Sequence, residues 1–366
     1  MKVNTISLNS VRLNTIALNH IGEIRSGGGG SKPSPIPQWI REHVVFYYDV
    51  KKQGATNETL KLSAYLQDLS GKGRRMKLNN FLFDMMSGVD GYKNEAFVNV
   101  SGAIDIRFDH INGRQIKGKP AQDWDKFGYY RAKNMVERII YCKWHVEGIL
   151  DDNKVYVAQY TAYDNRVELH NGDNYIELDT NQGKAGYNYI SVISDQPYST
   201  DITITQIPEY PDALVTDGVD DYGLVENLSS GVKMLFMTVN PMASKRYLYD
   251  QRKDTSSPYA FAIVNHEGVI AYNSRNTDGK TYIDGILNTK LKTEDLLNKK
   301  QIITMLNSNV SESVSKQPVF WGSLGKIENM PCAFYNSIAF DSIPTEADGF
   351  TEQELIDYVL TNIIGQ

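Results

Sequence analysis

The chain has 366 residues, more than one ordinary domain needs, so two or three domains are expected. Hydrophobic residues make up 41% and charged residues 22%, which excludes a disordered chain, and the net charge of -6 argues against a general nucleic-acid binder. The two cysteines, Cys142 and Cys332, exclude a disulfide framework or a zinc spacing and read as buried free thiols, and no apolar run approaches the roughly 20 residues of a membrane span.

Residues 3 to 22 repeat with a period of five: VNTIS, LNSVR, LNTIA, LNHIG. Leu8, Leu13 and Leu18 are in phase, as are Ile6, Val11, Ile16 and Ile21, and Asn4, Asn9, Asn14 and Asn19. A helix wants spacings of three and four and a flat strand wants alternation, so five suits neither. The pattern resembles pentapeptide repeats, which imply a square β-solenoid with an apolar residue pointing inward on each face. Four repeats make about one coil, which cannot bury its apolar side alone. Residues 1–25 are therefore read as an assembly and anchor segment that stacks on copies of itself or on a partner. An irregular strand or a tail is the alternative. The start MKVNTISLNS lacks the apolar centre of a signal peptide, so assembly inside a cell is expected.

SGGGGSKPSPIPQW follows, and residues 26–39 read as a Gly/Pro hinge. HVVFYYDV is a nearly continuous apolar run, as a sandwich-core strand would be. Asp68 to Gly73 is a turn cluster, and Met76 to Leu78 restarts a strand. From 92 to 207, short runs such as RIIYCKWHVEG, KVYVAQYTAY, NYIELDT, YNYISVI and TDITITQI recur at roughly ten-residue intervals, the mark of an antiparallel β-sandwich. ALVTDGVDDYGL then reads as strand, tight acidic turn, strand. Strand-like runs continue to CAFYNSIAF. The chain closes on the expected helix: Thr351 and Glu354 form a capping box, and Leu355, Ile356, Val359 and Ile363 recur at helical spacing.

Three separated motifs carry a resemblance. The strand ending Tyr47-Tyr48-Asp49 with Asp68-x-Ser70-Gly71-x-Gly73, the run Asp217-Gly218-Val219-Asp220-Asp221-Tyr222, and the ending Phe334-Tyr335-Asn336-Ser337-Ile338 with a Thr-x-x-Glu-Leu helix resemble laminin-G-like, concanavalin-A-like jelly rolls. The expected fold is all-β: a period-five β-solenoid-like anchor, then a jelly roll (40–91 and 208–366) with a second β-sandwich (92–207) inserted in it, and one C-terminal helix. The combination is similar to structural proteins of tailed phages that infect Bacteroides, including the crAss-like group. That resemblance implies a virion protein, a head fibre or tail appendage. It would be a dimer or trimer, anchored to other virion proteins through residues 1–25, and its head would bind host surface glycan.

The six histidines (His20, His43, His110, His145, His170 and His266) make no HxH or HExxH pattern, and there is no GxSxG or Walker loop. A non-enzymatic protein without a required cofactor, nucleic-acid partner or membrane insertion is expected. Asp217, Asp220 and Asp221 are the best metal candidates, with calcium the cation such oxygens suit. The competing reading is that Asp217 bonds the amides of its own turn. Glycan binding needs aromatic faces beside polar groups, which directs attention to Trp321, Tyr272, Tyr282 and Asn273 near expected strand ends, and to Trp39 and Trp124 among polar neighbours. A Trp in a β-sandwich is otherwise a core residue. A soluble lectin and a glycoside hydrolase are the two competing functions.

Overall fold

The computed structural model describes residues 36–94, 97, 108–120, 130–131, 139–159, 162–179, 189–243, 246–253, 264–266, 269–271, 279–288, 296–308, 314–323 and 329–365. The period-five segment and its residues Ile6, Leu8, Val11, Leu13, Ile16, Leu18 and Ile21 lie outside them. In chain order come α1 (Ile36–His43), β1 (Val44–Asp49), α2 (Asn57–Ser63), β2 (Tyr65–Leu66), β3 (Met76–Asn79) and β4 (Gly88–Val89). Next are β5 (Phe108–Asn112), β6 (Gln115–Gly118), β7 (Tyr130–Arg131), β8 (Ile139–Glu147), β9 (Val155–Gln159), β10 (Ala162–Leu169), β11 (Gly172–Asp179), β12 (Tyr189–Ser194) and β13 (Ile202–Gln206). The chain continues through β14 (Leu214–Thr216), β15 (Tyr222–Val225), β16 (Met234–Pro241), β17 (Tyr249–Asp250), β18 (Val264–His266), β19 (Val269–Ala271), β20 (Lys280–Ile283), β21 (Ile286–Leu287), β22 (Gln301–Leu306), β23 (Val319–Phe320) and β24 (Cys332–Phe340), and ends with α3 (Glu352–Val359). The protein is all-β: antiparallel sheets with a short C-terminal helix. Contacts divide it into an outer unit, up to Phe83, Ser87–Val89 and from Asp212 on, and a second unit formed by Asp84–Met86 and Asp90–Pro211.

In the outer unit, β24 is the central strand of an eight-stranded sheet ordered β21-β20-β22-β16-β24-β14-β4, with β1 also on β24. One edge of β24 pairs with β16 throughout. The other is shared: β1 takes Asn336–Phe340, and β14 takes Cys332–Phe334. Tyr335 between them is a bulge, since Thr238 faces Asn336 but Val239 faces Phe334, and its carbonyl accepts from Val50 N–H (2.9 Å). The extra residue lets one long strand serve two partners. The second sheet, β17-β23-β15-β3-β2, packs face to face with the first. Phe46, Tyr48, Leu235, Met237 and Phe334 from one layer meet Met76, Leu78, Val225 and Phe320 from the other. This interleaving of two inner faces makes the sandwich core.

The opposite face of the eight-stranded sheet is also dry. Val44, Tyr47, Phe236, Ile338 and Phe340 bury under α1 and α3, against Trp39, Ile40, Leu355, Ile356 and Val359. A strand covered on both sides has no solvated face, which is why β1 reads as a nearly continuous apolar run, while the polar residues of β24, Asn336 and Ser337, are buried and donate to the Ile364 and Phe236 carbonyls. The Thr351 side chain accepts from Glu354 N–H while Glu354 caps Thr351 N–H, as the capping box predicts. Two helices were missed. The C-terminal end of the expected hinge is the start of α1, because Pro37 in a first turn has no hydrogen bond to lose. Helix α2 is short and capped by Thr56 and Thr59, a Thr-x-x-Thr variant of the box.

The second unit packs β10-β9-β12-β7 against β11-β8-β13-β6-β5. Its core joins Val155, Val157, Ile190 and Val192 to Ile116, Trp144, Val146, Ile176, Ile202 and Ile204. Strands β8, β11 and β13 alternate strictly, so each buries one face and exposes the other. Cys142 in this core and Cys332 in the outer one are both free and buried, and burial pushes each thiol up to about 12.

Candidate functional site

The acidic turn links the two layers of the outer sandwich: β14 belongs to the eight-stranded sheet and β15 to the five-stranded one. Gly218 has φ +74°, and a Cβ there would sit 2.5 Å from Pro331 Cδ, so the turn needs glycine both for its backbone and for space. Asp217 Oδ1 accepts from Val219 N–H (2.8 Å), the Asx arrangement expected of a turn aspartate. Asp221 accepts from Asp217 N–H (3.0 Å) and from the Ser87 hydroxyl (3.1 Å). The side-chain amides of Asn80 and Asn329 donate to the Asp220 and Val219 carbonyls (3.1 and 3.0 Å). Thr216 Oγ1 donates to the Met330 carbonyl and accepts from Cys332 N–H.

The fold brings the three candidate metal ligands together. Oxygens of Asp217, Asp220 and Asp221 lie within 4.8 Å of one another. Asp220 is exposed, Asp217 half-buried and Asp221 fully buried. Burial, reinforced by the charges of Asp217 and Asp220, raises the Asp221 carboxyl to about 7 despite its two hydrogen bonds. Calcium takes six to eight oxygens, typically ~2.3–2.6 Å away. The trio supplies part of such a shell, yet both Asp221 oxygens and one of Asp217 already accept hydrogen bonds that build the turn. Hydrogen bonding alone accounts for Asp217 and Asp221, while Asp220 is the carboxylate a cation would engage from solvent.

The glycan candidates fare differently. Trp321 is 0% exposed, packed among Phe81, Phe320 and Phe334 with ring centroids 5.9, 5.7 and 5.0 Å away. It is a core residue and no platform for a ligand, because its flat apolar rings find more contact between two sheets than at a strand end. Tyr282 is buried as well, and its hydroxyl donates to Glu352 in the first turn of α3. Trp39, expected among exposed residues, is buried against Phe340 and Phe350. Tyr272, Asn273 and Trp124 lie outside the described residues.

Sequence reasoning missed two aromatic residues that, among the described residues, face solvent. Tyr175 on β11 is 71% exposed and Tyr141 on β8 is 38% exposed. The signal was present in YCKWHVE: Cys142, Trp144 and Val146 point inward, so Tyr141, Lys143 and His145 must point outward.

No family model matches the chain, and no match is found among curated proteins or among solved structures. Among the described residues, no helix is long and apolar enough to cross a membrane.

Proposed function

We propose that the chain is a non-enzymatic structural protein of a phage virion, a head fibre or tail appendage, anchored by residues 1–25 and presenting its β-sandwiches for host glycan binding. The observation that carries this reading is one sandwich interrupted by another, each with its own core, in a chain that starts with a period-five repeat. An anchor, a hinge and β-sandwiches beyond it suit display, where many weak sites act together through avidity. The laminin-G-like motifs add support, because they sit at the turns and strands that build the outer unit. Asp68 accepts three backbone N–H groups, from Tyr47, Ser70 and Arg74.

Light scattering on the full chain beside a shortened chain beginning at Ser34 tests the anchor. A dimer or trimer that becomes a monomer on shortening is the expected result, with Leu13→Asp giving the same loss while the head stays folded. Normal incorporation of Leu13→Asp into particles would overturn it.

The second reading is a soluble lectin, favoured by the carboxylates gathered at Asp217, Asp220 and Asp221. It requires calcium to raise the melting temperature of the full chain and Asp220→Asn to abolish that rise. A melting temperature indifferent to calcium and chelator removes the metal from this reading.

A further inference from the structure

We propose that the solvent face of the β11-β8-β13 sheet in the second unit is a glycan-binding platform, with Tyr175 and Tyr141 as its stacking surfaces. This deepens the binding half of the proposed function and rests on it. Tyr175 pairs opposite Lys143, and Tyr141 opposite Glu177, on adjacent antiparallel strands. The two tyrosines are therefore diagonal neighbours on one face, with side-chain origins about 7–8 Å apart. Tyr175 spends most of its surface in water, so its ring is open to a ligand.

A second observation adjoins the pair. Lys93, Asn94, Lys143, Gln206 and Glu209 line a shallow pocket in the same unit. Its two lysines lead directly to the two rings: Lys93 Nζ lies 5.2 Å from the Tyr141 centroid, and Lys143 Nζ lies 5.8 Å from that of Tyr175. Glu209 holds Lys143 at 2.6 Å, which fixes the ammonium beside the Tyr175 ring. Asn94 Nδ2 donates to the Tyr141 carbonyl (2.7 Å) and braces that strand end.

The charge on this face chooses among ligands. Lys117, Lys143 and His145 alternate with Glu147, Asp173 and Glu177 on this face, with Lys93 against Tyr141 and Glu209 against Lys143, so no single sign dominates. A polyanion such as nucleic acid, or an anionic lipid surface, would need a basic stripe. A sugar needs a flat ring for its C–H face and both donors and acceptors for its hydroxyls, and this surface offers those together.

The test uses the full chain on a printed array of neutral and uronic-acid-containing oligosaccharides. Tyr175→Ala and Tyr141→Ala are compared with Leu62→Ala, an exposed change in the outer unit. Binding by the unaltered chain is expected, with a loss of about tenfold or more for each tyrosine variant and none for Leu62→Ala. Circular dichroism and melting temperature check that the variants fold. Absence of binding by the unaltered chain overturns the proposal, as does retained binding in Tyr175→Ala. A change of mass in solution on replacing Tyr175 also overturns it, since the face would then join copies of the chain. Binding that survives Tyr175→Ala and Tyr141→Ala overturns this site alone, whereas absence of binding by the unaltered chain overturns the binding half of the proposed function with it.

Discussion

Asp68 shows what a single buried carboxylate does in this fold. Its two oxygens gather the N–H groups of Tyr47, Ser70 and Arg74 at 2.9 to 3.0 Å and so tie the D-x-S-G-x-G turn to β1. Asp68→Ala orphans three backbone donors and is expected to cost about 2–4 kcal/mol, read as a lower urea midpoint. Asp221 acts in the opposite sense. Its carboxyl sits at about 7 in the fold against an ordinary 3.8, so the folded chain binds that proton more tightly than the unfolded one. Its contribution is fully present below about pH 4 and is lost as the pH rises towards 7. Asp221→Asn is expected to flatten that part of a stability-against-pH profile measured by chemical denaturation.

The C-terminal helix is the element on which one face of the large sheet depends. Leu355, Ile356 and Val359 lie on the apolar stripe that covers Phe236, Ile338 and Phe340. The following turn is pinned by Lys52 Nζ donating to the Ile363 carbonyl (2.7 Å) and by Asn336 donating to the Ile364 carbonyl (3.3 Å). Leu355→Ala should destabilise the outer unit by about 2–5 kcal/mol, since it opens a cavity between two rigid surfaces. Thr351→Ala removes only the cap and should cost about 1 kcal/mol. A ratio near unity between those two losses would mean that the helix frays before the sheet unfolds.

At the scale of the molecule, the two units should be separable. Val89 pairs with Leu214 and Gly88 with Val215, so the chain leaves and re-enters the outer sheet on adjacent strands. Replacing residues 90–213 by the two-residue turn Asn-Gly would close β4 and β14 into a hairpin. The expected product is an outer unit that still unfolds cooperatively with dispersed amide resonances. Loss of cooperativity would mean that the outer core needs the second unit to fold.

The strands, the acidic turn and the closing helix were legible because each has a local cause: alternation or apolar continuity, a glycine at positive φ, a Thr-x-x-Glu cap. The sequence by itself also placed Asp217, Asp220 and Asp221 in one turn, where chain proximity alone gathers them. What it could not decide is which face of a strand meets another layer. Trp321 and Tyr282 are ordinary ligand-platform residues by type, and burial removes them only because a second sheet covers one and a helix begins over the other. Tyr175 is exposed for the converse reason: among the described residues, its side of β11 faces away from the core that Ile176 and Leu178 enter. Burial is a property of the packed layers, which residues far apart in the chain create together, and so it was settled by the tertiary structure alone.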